Sequence, residues 1–251
     1  MDGPAVLALY DATIRADPPA EVGVQRMWAD GVLRTIGAFN FIGWCELAED
    51  DLLAAARREA AFFADRQPRV LWKTYSHDRP QGLGEALAAA GFEDRGLETL
   101  VVLDLEDFDL PYAPPPGVEV RRITDRAGVA DLVAVSAAAF GRDEPWRVIA
   151  FAERLADPTL ALYVAYDGGR PVSSGRLELA PGKAFAGLYG GGTVPDHQGR
   201  GVYRALVAAR VAEARRRGHR YVTVDARETS RPILERLGFQ PLATLRGWLL
   251  P

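Results

Sequence analysis

At 251 residues, with a formal net charge of −4 and 48% hydrophobic residues, the chain is long enough for one large or two modest domains and is too acidic for broad nucleic-acid binding. No apolar run reaches the roughly 20 residues of a membrane span, and Met1-Asp2-Gly3-Pro4 lacks the basic-then-apolar start of a secretory signal. The single cysteine, Cys45, precludes an internal disulfide and agrees with a reducing compartment, so a cytoplasmic protein with neither membrane nor nucleic-acid partners is expected.

In chain order, Val32 to Phe39 and Phe41 to Leu47 read as strands, with Cys45 packed among apolar neighbours. Asp51 to Phe63 reads as a helix and Val70 to Tyr75 as a strand. Leu83 to Ala90 is a further helix, followed by Gly91-Phe92 and a strand through Val101 to Leu105. The proline-rich run from Leu110 to Gly117 is a stiff linker candidate. It sets the expected division into a domain at 1–110, a linker at 111–117 and a second domain at 118–251.

Beyond the linker, Val118 to Arg122 alternates as a strand, and Ala127 to Phe140 is apolar enough for a helix. Trp146 to Leu155 is a second helix, with Pro145 at its first turn. Leu160 to Tyr166 and Pro171 to Leu179 form a hairpin around Asp167-Gly168-Gly169. Ala184 to Thr193 is the next strand, and its Gly190-Gly191-Gly192 run signals a bulge or a close backbone approach. A helix from Val202, a strand Tyr221 to Asp225 and a short helix Arg231 to Leu237 complete an α/β pattern with a mixed sheet. Arg215-Arg216-Arg217, with His219 and Arg220, complements the dipole at the end of the long helix.

The segment from Thr193 to Ala214 carries the most chemistry. A strand end leads into a turn in which Gly199 and Gly201 flank Arg200, and then into an amphipathic helix. Glycines let the backbone approach a ligand closely, and the first amides of a helix favour an anion. Arg200 and Arg204 add positive charge, so the turn reads as a pyrophosphate cradle. The G-x-x-x-x-G-K-[ST] loop of nucleotide-triphosphate enzymes is absent. The dinucleotide fingerprint G-x-G-x-x-G fits poorly: Arg204 replaces its third glycine, and Val194 to Gln198 separates strand from turn. A bare helix start whose glycines serve only the turn is the simpler alternative.

The run Gln198, Gly199, Arg200, Gly201, Val202, Tyr203 resembles the (Q/R)-x-x-G-x-(G/A) motif of the GCN5-related N-acetyltransferases, the GNAT superfamily. Pro195 stands where those proteins commonly carry proline, and Leu237-Gly238-Phe239 is similar to a further landmark. The resemblance covers Val118 to Leu250. It implies acetyl-CoA as co-substrate, no metal, and a small-molecule amine acceptor for a protein that is a monomer or homodimer. It also implies that the pantetheine arm lies along Gly192, Thr193 and Val194, in a gap between two strands, with the pyrophosphate on the amides of Gly199, Arg200, Gly201, Val202 and Tyr203. Gln198 completes the loop, and Arg204 is a candidate phosphate contact.

Two residues depart from the family pattern. Tyr203 occupies the Gly/Ala position, so its ring must point away from the phosphates or stack near them. Leu234 stands where many members have a tyrosine that protonates the leaving thiolate. Placing Gly191, Tyr189 and Gly187 on one face with Thr193 finds no carboxylate to act as base. Tyr189 remains a candidate to orient a water, against plain aromatic packing. Asp225, at a strand end beside the gap, is the best-placed carboxylate, against a capping role. Glu178 is a further candidate, against a solvent-facing role, and Asp143 and Glu144 could attract an amine cation, against a plain exposed charge pair at a helix start.

The first half repeats the order strand, helix, strand, helix, Gly-Phe, strand. It resembles a second, degenerate copy of the same fold, giving two tandem GNAT-like folds. Where the second half has His197 to Tyr203, the first has Ala48-Glu49-Asp50-Asp51, an acidic turn without glycine that would repel a pyrophosphate. Only the second copy is therefore expected to bind acyl-CoA. The expected activity is N-acetyl transfer, with a non-catalytic acyl-CoA-binding module as the alternative.

Overall fold

A computed structural model describes the chain except for residues 38, 67–68, 107–112, 142–143 and 251. Leu110, Pro111 and Tyr112 of the expected linker, and Asp143, lie outside the described residues. The chain forms two compact units. The first comprises Met1–Leu100, Ala226–Arg231 and Pro241–Pro251, and the second Val101–Asp225 and Pro232–Gln240.

The first unit opens with helix α1 (Gly3–Tyr10), which Asp2 caps by accepting from the Ala5 amide. It continues into a π turn, Asp11–Arg15. Strands β1 (Gln25–Ala29), β2 (Val32–Ile36) and β3 (Asn40–Cys45) come next. The two-residue turn Asp30-Gly31 has positive φ at both positions, 50° and 76°, as the tightest hairpins require. A 3-10 turn, Glu49–Asp51, leads into α2 (Leu52–Phe63), then β4 (Val70–Tyr75), α3 (Leu83–Ala89) and β5 (Glu93–Asp104). Val32, Ile42, Trp72, Leu87, Phe92 and Trp248 form its core. Inside this unit Arg34 grips the buried Glu59 carboxylate of α2 through both Nε and Nη2, at 2.7 and 2.5 Å.

The second unit runs β6 (Val118–Ile123), α4 (Arg126–Phe140), α5 (Trp146–Glu153), β7 (Leu160–Asp167), β8 (Arg170–Leu179) and β9 (Phe185–Thr193). After the loop come α6 (Val202–Arg216), β10 (Tyr221–Ala226), α7 (Arg231–Arg236) and β11 (Gln240–Leu249). Its β7–β8 turn, Gly168-Gly169, repeats the pair of positive φ values, 57° and 87°. Helices α4 and α5 bury Val129, Leu132 and Phe151 against Leu162 and Val164 of β7. Among the described residues no helix is long and apolar enough to cross a membrane.

The sheet is mixed in both units. In the first, β1, β2, β3, β4 and β11 are neighbours in that order; in the second, β10, β9, β8, β7 and β6. The closing strand of each repeat falls wholly or partly in the other unit. The β11 strand belongs to the first unit, where Leu245–Leu249 pairs antiparallel with Leu71–Tyr75 of β4. The second part of β5, from Val101, belongs to the second unit.

Each unit contains one short parallel ladder. In the first, β3 and β4 are joined by Asn40↔Val70, Phe41↔Leu71 and Ile42↔Trp72. In the second, β9 and β10 are joined by Phe185↔Tyr221, Ala186↔Val222 and Gly187↔Thr223. Past the third pair the two strands part, so the gap that the family resemblance implies is present in both units.

Candidate functional site

The divergence of β9 and β10 leads directly into the glycine turn. Thr193 is buried, and its hydroxyl meets Ser173 Oγ at 2.8 Å; Ser173 also donates to the Gly192 carbonyl. The Val194 amide donates to the Val172 carbonyl at 2.9 Å. A 3-10 turn, Pro195–His197, carries the chain off the sheet. Gln198 Nε2 then reaches back to the Thr193 carbonyl at 3.1 Å and closes the loop.

Gly199 and Gly201 have φ of 73° and 84°, backbone that a side chain would strain. A Cβ on Gly199 would meet nothing within 4 Å, so the loop faces open space there. Gly201 is the N-cap of the 15-residue α6 and supplies no side-chain cap. The first amides of a helix of this length can therefore serve an anion.

The loop is fixed from below by charge. His197 is buried, with Nε2 3.2 Å from Asp167 Oδ2, and the same oxygen accepts from Arg200 Nη2 at 3.0 Å. The neighbouring His197 imidazole and Arg170 guanidinium hold the exposed Asp196 carboxyl down at about 2. His197 Nδ1 lies 3.1 Å from Asp196 Oδ1, and Arg170 bonds Asp196 at 2.6 Å. Asp167, Arg170, Asp196 and His197 are site residues that the sequence reading did not assign. Asp167 was visible only as a turn residue, and its partners lie about 30 positions away.

Tyr203 turns its ring beneath the strand. A Cβ on Gly191 would lie 3.0 Å from its Cε2, and burial pushes its phenol up despite the nearby Arg210 cation. Val202 is buried against Val172 and Val194, whereas Arg204 is exposed. The glycine bulge is present and changes the faces of β9. The β8–β9 ladder passes from Ser174↔Gly192 to Arg176↔Tyr189, so two residues of β9, Gly190 and Gly191, stand opposite Gly175 alone. Gly190 adopts φ of 59°. The extra residue reverses the alternation. Gly191, beneath which Tyr203 lies, is thereby separated from Tyr189 and Gly187, which share the other face with Arg176 and Glu178. The expectation that Gly191, Tyr189, Gly187 and Thr193 share a face is corrected on that ground.

Tyr189 packs over Gly187, with the Arg176 guanidinium 5.1 Å from its ring. Glu178 is taken up by Arg176 at 2.6 Å, so it is not a free solvent-facing carboxylate. Glu144 pairs with Arg147 at 3.0 Å. Tyr189 and half-buried Asp225 stand on the two separating strands, each two residues past the last shared pair. Leu234 is fully buried and has no proton to give.

The divergence in the first unit is differently furnished. A cavity of about 520 Å³ is lined there by Gly43, Trp44, Cys45, Lys73 and His77, among others. Buried Arg15 enters it, donating to the Gly43 carbonyl at 3.1 Å and to both oxygens of Asp78 at 2.7 and 2.9 Å. Burial pushes the Cys45 thiol up to about 12, so it is held protonated. The turn after β3 is Glu49–Asp51, with Asp51 bound to Arg58 at 2.8 Å.

Fold and site together define a class: a duplicated α/β chain in which only the second copy presents a glycine-lined helix start at its parted strands. The sequence profile of the Acetyltransferase (GNAT) family matches residues 129–239. No curated protein matches the chain. Among solved structures, a GCN5-related N-acetyltransferase from Kribbella flavida is 16% identical at a TM-score of 0.67, with 99% of this chain and 94% of that one covered. A GCN5-related N-acetyltransferase from Sphaerobacter thermophilus is 18% identical at 0.62, covering 99% and 92%. A tandem GNAT protein from the clavulanic acid biosynthesis pathway is 15% identical at 0.62, covering 98% and 92%. The chain has the tandem GNAT fold.

Proposed function

We propose that the protein is an acetyl-CoA-dependent N-acetyltransferase that moves an acetyl group to a primary amine of a small molecule, with the second unit catalytic. The observation that carries this reading is the Gln198–Tyr203 turn at the mouth of the parted strands β9 and β10. The residues fit the co-substrate: the glycine turn is open at Gly199 and the start of α6 has no side-chain cap. In this reading Gly192, Thr193 and Val194 flank the pantetheine arm. Gly199 to Tyr203 hold the pyrophosphate through their amides, and Arg204 adds charge. Residues 1–110 are then a degenerate copy without the CoA loop, and 118–251 carry the activity.

Bound acetyl-CoA would supply the activated acyl group. The amine nitrogen must be neutral to form the new C–N bond, and the sulfur of the broken C–S bond needs a proton or a positive field. Asp225 and Tyr189 flank the divergence: Asp225 is the candidate to take up the amine proton, directly or through a water that Tyr189 orients. Arg176, Glu178 and Tyr189 gather polar groups on one face, which suits a small charged acceptor. The single free cysteine suits action in the cytoplasm as a monomer or homodimer.

Isothermal titration with acetyl-CoA, followed by thiol release against a panel of amines, tests this. Binding and turnover are expected; absence of acetyl-CoA affinity would remove the reading. The buried Leu234 favours one alternative, a non-catalytic acyl-CoA-binding module. Tight binding without turnover on any amine would select it.

A further inference from the structure

Helix α6 carries an arginine where its packing face should be apolar. Arg210 is 1% exposed, although it lies one turn beyond Leu206 on the side that meets the sheet. Nε donates to the Leu206 carbonyl at 3.1 Å and Nη1 to the Arg176 carbonyl at 3.2 Å. No ion pair joins it to a carboxylate among the described residues. Burial lowers its pKa to about 10, and the groups facing it are Tyr203 on its own helix, Tyr163 on β7 and Arg176 on β8. A buried charge without a counter-charge is costly, and apolar side chains of similar volume often serve stability better.

Its position gives the charge something to act on. The guanidinium lies directly behind the β8–β9 bulge. A Cβ on Gly175 would stand 2.6 Å from Nη1, and one on Gly191 would stand 3.1 Å from Nη2. Gly175 is the residue that the ladder leaves facing two on β9, and the carbonyl that Arg210 binds is the next one along β8. Arg210 therefore fills the space that the two missing side chains leave and braces β8 where regular pairing lapses. Its field starts from a buried position, where salt screens it less, and crosses one strand to a bulge that is half-buried at Gly191 and exposed at Gly190. On the far edge of that strand β9 parts from β10.

We propose that Arg210 is a positioning residue for acyl transfer, bracing the Gly190–Gly191 bulge and setting a positive charge behind it that favours the negative charge developing on the acyl group and sulfur. This rests on the acetyltransferase reading above. It assigns to a charge behind the strand part of the assistance that Leu234 cannot give.

The test compares the full-length wild type with Arg210→Lys, which keeps the charge, and Arg210→Met, which keeps the volume. Arg210→Met is expected to lower kcat roughly tenfold or more, with acetyl-CoA Kd changed less than about threefold. Arg210→Lys should recover most of the loss. In isotope-labelled protein, the Gly190 and Gly191 amide signals should move in Arg210→Met and return in Arg210→Lys. Wild-type kcat in Arg210→Met, or equal losses of kcat and affinity in both variants, would overturn the proposal. If Arg210→Met does not fold, Gly175→Ala presses a methyl group onto the same guanidinium, 2.6 Å from Nη1; a lowered kcat supports the role and an unchanged one overturns it. Should the wild type itself release no thiol with any amine, the acetyltransferase reading falls. The glycine signals then still decide whether Arg210 braces the bulge, and unmoved signals would refute it.

Discussion

The two units share a frame and differ in how the mouth of their parted strands is furnished, above all at one turn. Each has a two-residue hairpin with positive φ at both positions, Asp30-Gly31 and Gly168-Gly169. Each has three parallel pairs before its strands part. Each ends a helix on the same cap, with Gly91 and Gly238 left-handed and Phe92 and Phe239 donating back to Leu87 and Leu234 at 3.0 and 3.1 Å. The turn that leaves the first strand of the parallel pair, β3 in one unit and β9 in the other, separates them. The second unit has an uncapped glycine turn on a long helix, and the first has three carboxylates in a 3-10 turn. The same scaffold thus opens a gap in both copies, while a few loop residues decide whether an anion is welcome at its mouth.

The largest effect expected from this comparison is at the turn itself. Gly201→Val forces a β-branched residue to φ near 84° and crowds the loop, so acetyl-CoA affinity should fall on the order of 100-fold in titration calorimetry. Asp50→Asn, in the first unit's turn, should leave it unchanged, and one molecule should bind per chain. Two molecules per chain would break the distinction between the copies.

The shared cap predicts parity instead. Leu87→Ala and Leu234→Ala each empty a fully buried site and should each destabilise by about 3 kcal/mol in denaturant titration. A near-zero value at either would show that the two helix ends are not equivalent.

Smaller effects separate a buried from an exposed carboxylate. Burial alone would push Asp157 up, but the Thr159 hydroxyl and amide and the Arg154 fork hold it below the usual range. Arg58 lowers the exposed Asp51 likewise. Both are depressed acids, so their contribution is full above the ordinary carboxyl range and is lost as pH falls through the folded-state value. Asp157→Asn should cost about 2 kcal/mol at neutral pH, and the gap to wild type should narrow below about pH 4 in melts at stepped pH. Asp51→Asn should show the same trend with a far smaller amplitude, because solvent screens that pair. At the loop's support the effect is also small: Asp167→Asn releases the exposed Arg200 and should change acetyl-CoA affinity by no more than about fivefold, less at high salt.

Much of the frame was legible because local signals suffice for it. Glycines at 91, 199, 201 and 238 mark turns, and apolar periodicity marks the helices and most strands to within a few residues. Helix α1 was missed, and so was β1, although Asp30-Gly31 between apolar runs is the standard hairpin signal. The glycine run announced the bulge, but not that one extra residue would carry Tyr189 to the face opposite Gly191. The support of the loop by Asp167 and His197 was out of reach, because their encounter depends on how β7 meets the turn after β9. Arg210 was not singled out, because an arginine beside an apolar stripe usually keeps its head group in water, and only the bulge behind it gives the guanidinium a buried place.

The placement of β11 bears on how the protein is made. Trp248 of β11 belongs to the first unit's core, where the indole leaves no room for a side chain on Gly84. During synthesis the first unit therefore emerges with one flank of β4 unpaired, and it closes only after β11 has left the ribosome behind the entire second unit. An exposed strand flank is a template for wrong pairing. A cut in the 111–117 segment would therefore take β11 away from the unit whose sheet and core it completes.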